Sequence, residues 1–236
     1  MTHLSVNINK IATLRNSRGG LMPDVIHAAK KCLDFGADGI TVHPRPDQRH
    51  ITRSDAYRLK EVVTKEYNIE GFPSKEFIKM VTEILPDQVT LVPDPPNVLT
   101  SNNGWDTIKN YGFLKEIIAE LQLHNIRVSI FVNPDLKIVE GAKNCNSDRI
   151  ELYTEAYCNN FIKDKSLAIQ PYLKAAVLAQ NLELGVNAGH DLNMQNLSFF
   201  VKEIENIAEV SIGHALISDS LYLGLENTIQ MYKRLL

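Results

Sequence analysis

The sequence predicts an α/β chain that closes as a (β/α)8 TIM barrel. Eight short apolar runs alternate with amphipathic segments along all 236 residues. No Pro/Gly/Ser-rich linker, repeat or shift of composition breaks that alternation, and about 250 residues is the usual size of one such barrel. Three of the seven histidines stand where an apolar run stops, at Val42-His43, Val186-Asn187-Ala188-Gly189-His190 and Ile212-Gly213-His214. The carboxyl ends of buried parallel strands are where barrels and open α/β sheets carry their chemistry. A doubly wound open sheet is the alternative arrangement; in either, residues 1–236 read as one domain.

The strand-like runs are Leu4–Asn9, Gly39–His43, Asn68–Gly71, Gln88–Val92, Arg127–Val132, Arg149–Tyr153, Glu183–Asn187 and Ala208–Gly213. After the first, Pro23 suits the opening turn of a helix beside Asp24, Val25, Ile26, Ala29, Cys32 and Leu33 recur at helical spacing, and Gly36 stops it. Thr52 and Asp55 form a capping box ahead of Ala56, Leu59, Val62 and Val63. Phe77, Ile78, Val81, Ile84 and Leu85 make a third stripe, ended by Pro86, and Ile108, Tyr111, Leu114, Ile117, Ile118 and Leu121 a long fourth. Leu136–Ala142, Leu173–Gln180, Leu197–Ile204 and a closing helix through Leu221, Leu225, Ile229 and Tyr232 complete eight units. Lys10–Met22, Pro44–Ile51 and Pro93–Asp106 read as long connections, each following a strand, with Thr154–Lys165 a fourth that carries an extra helical turn.

Composition narrows the function. Hydrophobic residues at 44% supply a full core, and 25 basic against 28 acidic residues leave a net charge of −3 with no basic face for nucleic acid. The three cysteines, Cys32, Cys145 and Cys158, have neither metal-ligand nor disulfide-framework spacing. Nowhere do eighteen apolar residues run together, and no charged-then-apolar leader opens the chain, so a cytoplasmic location off the membrane is expected. There is no GxGxxG, no Walker A pattern, no His-x-His pair and no HExxH helix, so neither a metal site built from His43, His190 and His214 nor dinucleotide or P-loop chemistry is expected.

The candidate chemistry gathers at strand ends. Asn187–His190 after the seventh strand and Gly213-His214-Ala215 after the eighth stand where barrels bind phosphate with backbone N–H groups; the glycines otherwise only relieve crowding. His43-Pro44-Arg45-Pro46-Asp47-Gln48-Arg49-His50 concentrates two arginines and two imidazoles, a second anion site or else a solvated charged loop. Arg18, in the setting Asn16-Ser17-Arg18-Gly19-Gly20, offers a further cation. Glu70 ends a run where partial desolvation suits a carboxylate for proton transfer, or where it pairs with a cation. Glu151, between Ile150 and Leu152, points into the barrel and serves either as a structural ion partner or in catalysis. Lys10 is placed to contact phosphate or to form a Schiff base with a carbonyl.

With these residues assembled, the chain resembles the deoxyxylulose-phosphate-dependent pyridoxine 5′-phosphate synthase family of vitamin B6 biosynthesis. The resemblance rests on Val6-Asn7-Ile8, Ile11-Ala12-Thr13-Leu14-Arg15-Asn16, Arg18-Gly19, Gly36–His43, Arg49-His50-Ile51-Thr52, Leu91-Val92-Pro93, Val186–His190 and Ile212–Ala215. It implies a barrel with added helices, assembled as a homo-octamer, that condenses 1-deoxy-D-xylulose 5-phosphate with 3-amino-2-oxopropyl phosphate. The products are pyridoxine 5′-phosphate, inorganic phosphate and water, formed without a cofactor through a Schiff base between the two substrates. By position, the resemblance makes His43 and Glu70 general bases, His190 a general acid, and Glu151 an active-site carboxylate. It gives the amino ketone Asn7, Arg18, Asp191, Gly213 and His214, and the sugar phosphate Asn9, Lys10, Arg45, His50 and Thr100.

The chain departs from the family pattern at Lys10 (usually histidine), Asp191 (usually glycine), Gln48 (commonly arginine), Tyr153-Thr154-Glu155 (usually His-Thr-Gly) and the Pro93–Asn103 loop. Two other readings share these residues: another phosphosugar-handling barrel enzyme with Lys10 as nucleophile, and a non-catalytic phosphosugar-binding protein.

Overall fold

The computed structural model of the chain describes residues 2–93 and 103–236. Eight parallel strands close in sequence order, with β1 (His3–Asn7) returning to pair with the eighth, and helices follow the strands on the outside. After β1 come α1 (Asn9–Asn16), α2 (Val25–Asp34), β2 (Gly39–Val42), α3 (Arg53–Lys60), β3 (Glu66–Gly71), α4 (Lys75–Ile84) and β4 (Gln88–Leu91). The second half runs α5 (Tyr111–Leu123), β5 (Arg127–Val132), α6 (Leu136–Asn144), β6 (Arg149–Tyr153), α7 (Glu155–Phe161), α8 (Lys165–Ala168) and α9 (Gln170–Asn181). It ends β7 (Gly185–His190), α10 (Leu197–Glu203), β8 (Ile207–Ile212), α11 (His214–Leu223) and α12 (Leu225–Lys233). The closed barrel replaces the open-sheet alternative.

Local chemistry explains the boundaries. Asp24 caps α2 by accepting from the Ile26 and His27 N–H groups, which leaves Pro23 outside the helix rather than in its first turn. The Thr52/Asp55 capping box forms at α3 as its spacing predicts. Leu85 ends α4 with φ 54°, and Pro86 prevents continuation.

Further boundaries differ from expectation. Lys10–Met22 is not all connection, because α1 occupies Asn9–Asn16; it buries only Ile11 and Ala12, too short a stripe to be legible. The long α5 starts at Tyr111, leaving Ile108 exposed. The closing helix is two, broken at Gly224, whose φ of 79° favours glycine. The seventh strand runs to His190, so Gly189 and His190 belong to the strand rather than to a loop.

Side chains alternate on every strand. Leu4, Val6, Ile40, Val42, Ile69, Val89, Val128, Ile130, Ile150, Val186 and Val210 face the helices and build the core. The barrel interior carries Ser5, Thr41, Asn68, Thr90, Gln88, Ser129, Glu151, Asn187, Glu209 and Ser211, all buried. The strands are therefore not apolar on both faces, and hydroxyls and amides fill the space that branched aliphatics take in most such barrels. Ser5 Oγ lies 2.7 Å from Thr41 Oγ1; Asn68 donates to Thr41 at 3.3 Å and Thr90 donates to Asn68 at 3.1 Å. At the amino end Arg127 pairs with Glu66, while burial, followed by the hydrogen bond with Glu66, keeps Glu209 protonated well above the ordinary carboxylate range. Among the described residues no helix is long and apolar enough to cross a membrane.

Candidate active site

A cavity of about 620 Å³ opens at the carboxyl end of the strands, lined by residues from β1, β2, β3, β7 and β8 and the segments that follow them. It brings together Asn7, Asn9, Lys10, His43, Arg45, His50, Glu70, His190, Asp191, Gly213 and His214, all candidates from the sequence. Glu151 lies beneath its wall. Arg18 does not line the cavity: it is exposed in the turn after α1, since the helix carries the chain away from the strand ends. Thr100 lies outside the described residues. Three lining residues escape the sequence assignment: Thr13, Arg49 and Ser211. Thr13 becomes legible only with α1 as a helix, one turn beyond Lys10. Ser211 follows from the period-two alternation that also places Glu209 inside, and Arg49 belongs to the basic run already noted.

The first acid–base pair is built by three adjoining strands. The Asn9 N–H donates to Asn7 Oδ1 at 3.1 Å, and the His43 N–H donates to Asn9 Oδ1 at 2.9 Å, so β1 fixes where the chain leaves β2. Asn7 Nδ2 donates to Glu70 Oε2 at 3.5 Å, and His43 Nδ1 stands 4.0 Å from the same oxygen. Burial, then Arg45, His50 and His190, hold the His43 imidazole well below its ordinary range. Burial and the positive neighbours therefore favour its neutral form, with a ring nitrogen lone pair.

The second pair faces it across the cavity. Glu151 is 1% exposed, and burial lifts its carboxyl to about 7 against an opposing hydrogen bond from Thr90. His190 Nδ1 is 3.9 Å from Glu151 Oε1. His190 ends β7 with φ 89°, a conformation a side chain rarely adopts and one found preferentially at functional sites. A methyl group at Gly189 would meet Glu151 Oε1 at 2.2 Å, so that position must lack a side chain for the carboxylate to fit.

Cations line one side of the cavity and a helix N-terminus the other. Arg45 is buried, and Lys10, Arg49 and His50 stand beside it on the cavity wall. The Ile51 N–H donates to His50 Nδ1 at 2.9 Å, and burial with the Arg45 and Arg49 charges lowers that imidazole to about 4. Neutral His50 therefore keeps its proton on Nε2, pointing a donor away from its own backbone. Opposite, Gly213 and His214 open α11, whose first N–H groups have no partner within the helix. A methyl group at Gly213 would crowd Asn7 Cβ at 3.1 Å. Asp191 lines the cavity near His214; burial, then Glu155, raises its carboxyl, and His214 opposes the shift. Among the described residues no cluster of three or more His, Cys, Asp or Glu side chains has the arrangement of a metal site.

Fold and site together define the class: a (β/α)8-barrel enzyme whose acid–base groups sit in a cation-lined cavity at the strand ends. Residues 4–236 match the family described as pyridoxal phosphate biosynthesis protein PdxJ. Relatives named pyridoxine 5′-phosphate synthase are 58% identical in Christiangramia forsetii and 57% identical in Bacteroides fragilis, each alignment covering 100% of both chains. Among solved structures, phosphoribosylanthranilate isomerase from Thermotoga maritima superposes with a TM-score of 0.63 at 16% identity, covering 100% of this chain and 98% of that one. Thiamine phosphate pyrophosphorylase from Pyrococcus furiosus gives 0.64 at 12% identity, covering 99% and 94%. Those two likenesses establish the fold alone. The chain belongs to the pyridoxal phosphate biosynthesis protein PdxJ family.

Proposed function

We propose that the chain, acting as one catalytic domain over residues 1–236, condenses 1-deoxy-D-xylulose 5-phosphate with 3-amino-2-oxopropyl phosphate. The products are pyridoxine 5′-phosphate, inorganic phosphate and water. The observation that carries this reading is the pairing of two acid–base couples, His43/Glu70 and His190/Glu151, between two cation- or N–H-lined ends of one cavity. Two phosphorylated substrates need two anion sites, and a ring closure that expels water and phosphate needs several proton transfers. Names carried by full-length relatives at 57–58% identity support the same reaction.

In this reading Lys10, Arg45 and the Nε2–H of His50 hold the sugar phosphate, with Asn9 and Thr100 completing its contacts. Asn7, Gly213, His214 and the α11 N-terminus take the amino-ketone phosphate, while the Asp191 carboxylate faces the substrate amine. The amine adds to the sugar ketone and water leaves, giving the imine between the two substrates. Neutral His43 and the Glu70 carboxylate then remove protons from carbon, and His190 donates to departing oxygen. Glu151, close to neutrality in its proton affinity, resupplies His190. No metal or organic cofactor enters these steps. The enzyme works in the cytoplasm as a homo-octamer, without nucleic acid or membrane partners.

The test is an assay in chelator with both substrates, following pyridoxine 5′-phosphate and phosphate together. Equal appearance of the two is expected. Binding of both substrates without product would replace the enzyme by a phosphosugar-binding protein.

A further inference from the structure

We propose that Tyr153 is a positioning residue for His190, and that Glu155 tethers its hydroxyl so that the phenol ring sets the plane of the imidazole. The proposal rests on the reading of His190 as general acid. It concerns the segment Tyr153-Thr154-Glu155, where this chain departs from the His-Thr-Gly expected of its family.

The demand for such a device comes from the backbone. His190 leaves β7 with φ 89°, so its side chain springs from a disfavoured conformation. Its Nδ1 stands 3.9 Å from Glu151 Oε1. Two aromatic rings close on it. The Phe131 centroid is 4.5 Å from that of His190, with the planes 37° apart. Tyr153 meets the imidazole at 5.4 Å and 79°, an edge-to-face contact, and packs on Phe131 at 5.1 Å. Register makes the contact direct, because Tyr153 pairs with Gly189, which has no side chain to intervene.

The triplet then locks itself. The Tyr153 hydroxyl donates to Glu155 Oε2 at 2.7 Å, across the turn from β6 into α7. The Tyr153 carbonyl accepts from the Tyr172 hydroxyl at 2.9 Å. Between them, the Thr154 hydroxyl donates to the Gly189 carbonyl at 2.7 Å and accepts from the Asp191 N–H at 3.4 Å. It thus grips the backbone on both sides of residue 190. Tyr153 is 8% exposed and does not line the cavity, so its influence on chemistry runs through His190.

Turnover of Tyr153→Phe, Tyr153→Leu, Glu155→Ala and Glu155→Gln separates this role from a structural one. A sub-ångström loss of alignment at an acid costs about tenfold or more in rate. Tyr153→Phe and Glu155→Ala are expected to lower kcat by about tenfold, with KM for the sugar phosphate and the melting temperature little changed; Tyr153→Leu, which also removes packing against Phe131, lowers kcat by about a hundredfold and the melting temperature with it. Glu155→Gln keeps an acceptor and restores most of the rate. The Tyr153→Phe/Glu155→Ala double variant is no slower than either single one, because both cut the same tether. In a His190→Ala background, single-turnover rates show no further loss from Tyr153→Phe. A full-sized loss in that background, additive effects in the double variant, or a rise of KM at constant kcat would overturn the proposal. Wild-type turnover by His190→Ala alone would instead overturn the general-acid reading.

Discussion

Arg15 closes both terminal guanidinium nitrogens on the two carboxylate oxygens of Asp55, at 2.7 and 2.8 Å. Asp55 is also the partner of Thr52 in the α3 capping box, so one carboxylate joins α1 to the start of α3. Burial alone would push its carboxyl up, but Arg15 and the Thr52 groups hold it below the ordinary range. Arg15 and Asn16 also donate to the His50 carbonyl, at 3.1 and 2.8 Å, which pins the end of the basic segment over the cavity. Arg15→Met leaves a buried carboxylate unpaired and is expected to cost about 3 kcal/mol. A fall in melting temperature with a raised KM for the sugar phosphate checks both consequences; unchanged values of both would remove the pair's role.

His190→Ala and Glu70→Gln should each lower kcat by roughly 10²–10⁴-fold, the range for losing an acid–base group. Substrate dissociation constants, measured separately, should stay near those of the unaltered chain. A variant with normal turnover has lost nothing the reaction needs.

Glu151 gives stability a pH signature. Its folded-state affinity for a proton, about 7, exceeds the ordinary 4.5. Between those values the folded chain holds a proton that the unfolded chain releases, so stability falls as pH rises from 4.5 to 7. His50 works oppositely: lowered to about 4, it adds stability as pH rises from 4 to 6.5. The difference between the unaltered chain and Glu151→Gln isolates the carboxyl and should change by about 3 kcal/mol across its window. Denaturant titrations at five pH values read it directly; a flat difference would mean that Glu151 titrates as an exposed carboxylate.

Gly189→Ala places a methyl group on Glu151 Oε1 and should destabilise by about 1–3 kcal/mol while displacing the carboxylate from His190. Gly112→Ala, within α5, meets nothing within 4 Å and should be neutral or stabilising by about 1 kcal/mol. Thermal unfolding of the two variants side by side, with turnover, tests whether the site tolerates any side chain there.

Lys10 should remain unmodified when the chain is mixed with sugar phosphate and borohydride, because the imine joins the two substrates. Lys10→Met is then expected to raise KM for the sugar phosphate about tenfold, as loss of a charged phosphate contact does, with kcat nearly constant. A borohydride adduct mapped to Lys10 would make it the nucleophile.

Strand-end histidines and glycines were legible because each follows an apolar run, and eleven of the fourteen candidate positions line one cavity. Glu151 was legible as inward by its flanking Ile150 and Leu152, but its approach to His190 needed the register of β6 on β7. The first helix was hidden because it buries two residues and exposes its polar side to the cavity rim. Thr13 was lost with it. The Phe131–Tyr153–His190 ring cluster was hidden too, since three strands 22 and 37 residues apart meet only after closure. Local pattern reports which face a residue takes; which residue stands opposite is set by register.

The aliphatic side chains lie mainly in the layer between sheet and helices, and below the Phe131–Tyr153 ring pair the hub of the barrel is hydroxyl, amide and carboxyl. Heat-capacity change on unfolding grows with apolar surface exposed and shrinks with polar surface exposed. Opening this barrel exposes both together. Its stability curve against temperature is therefore flatter than that of a barrel with an aliphatic hub, which spreads its working range instead of raising its peak.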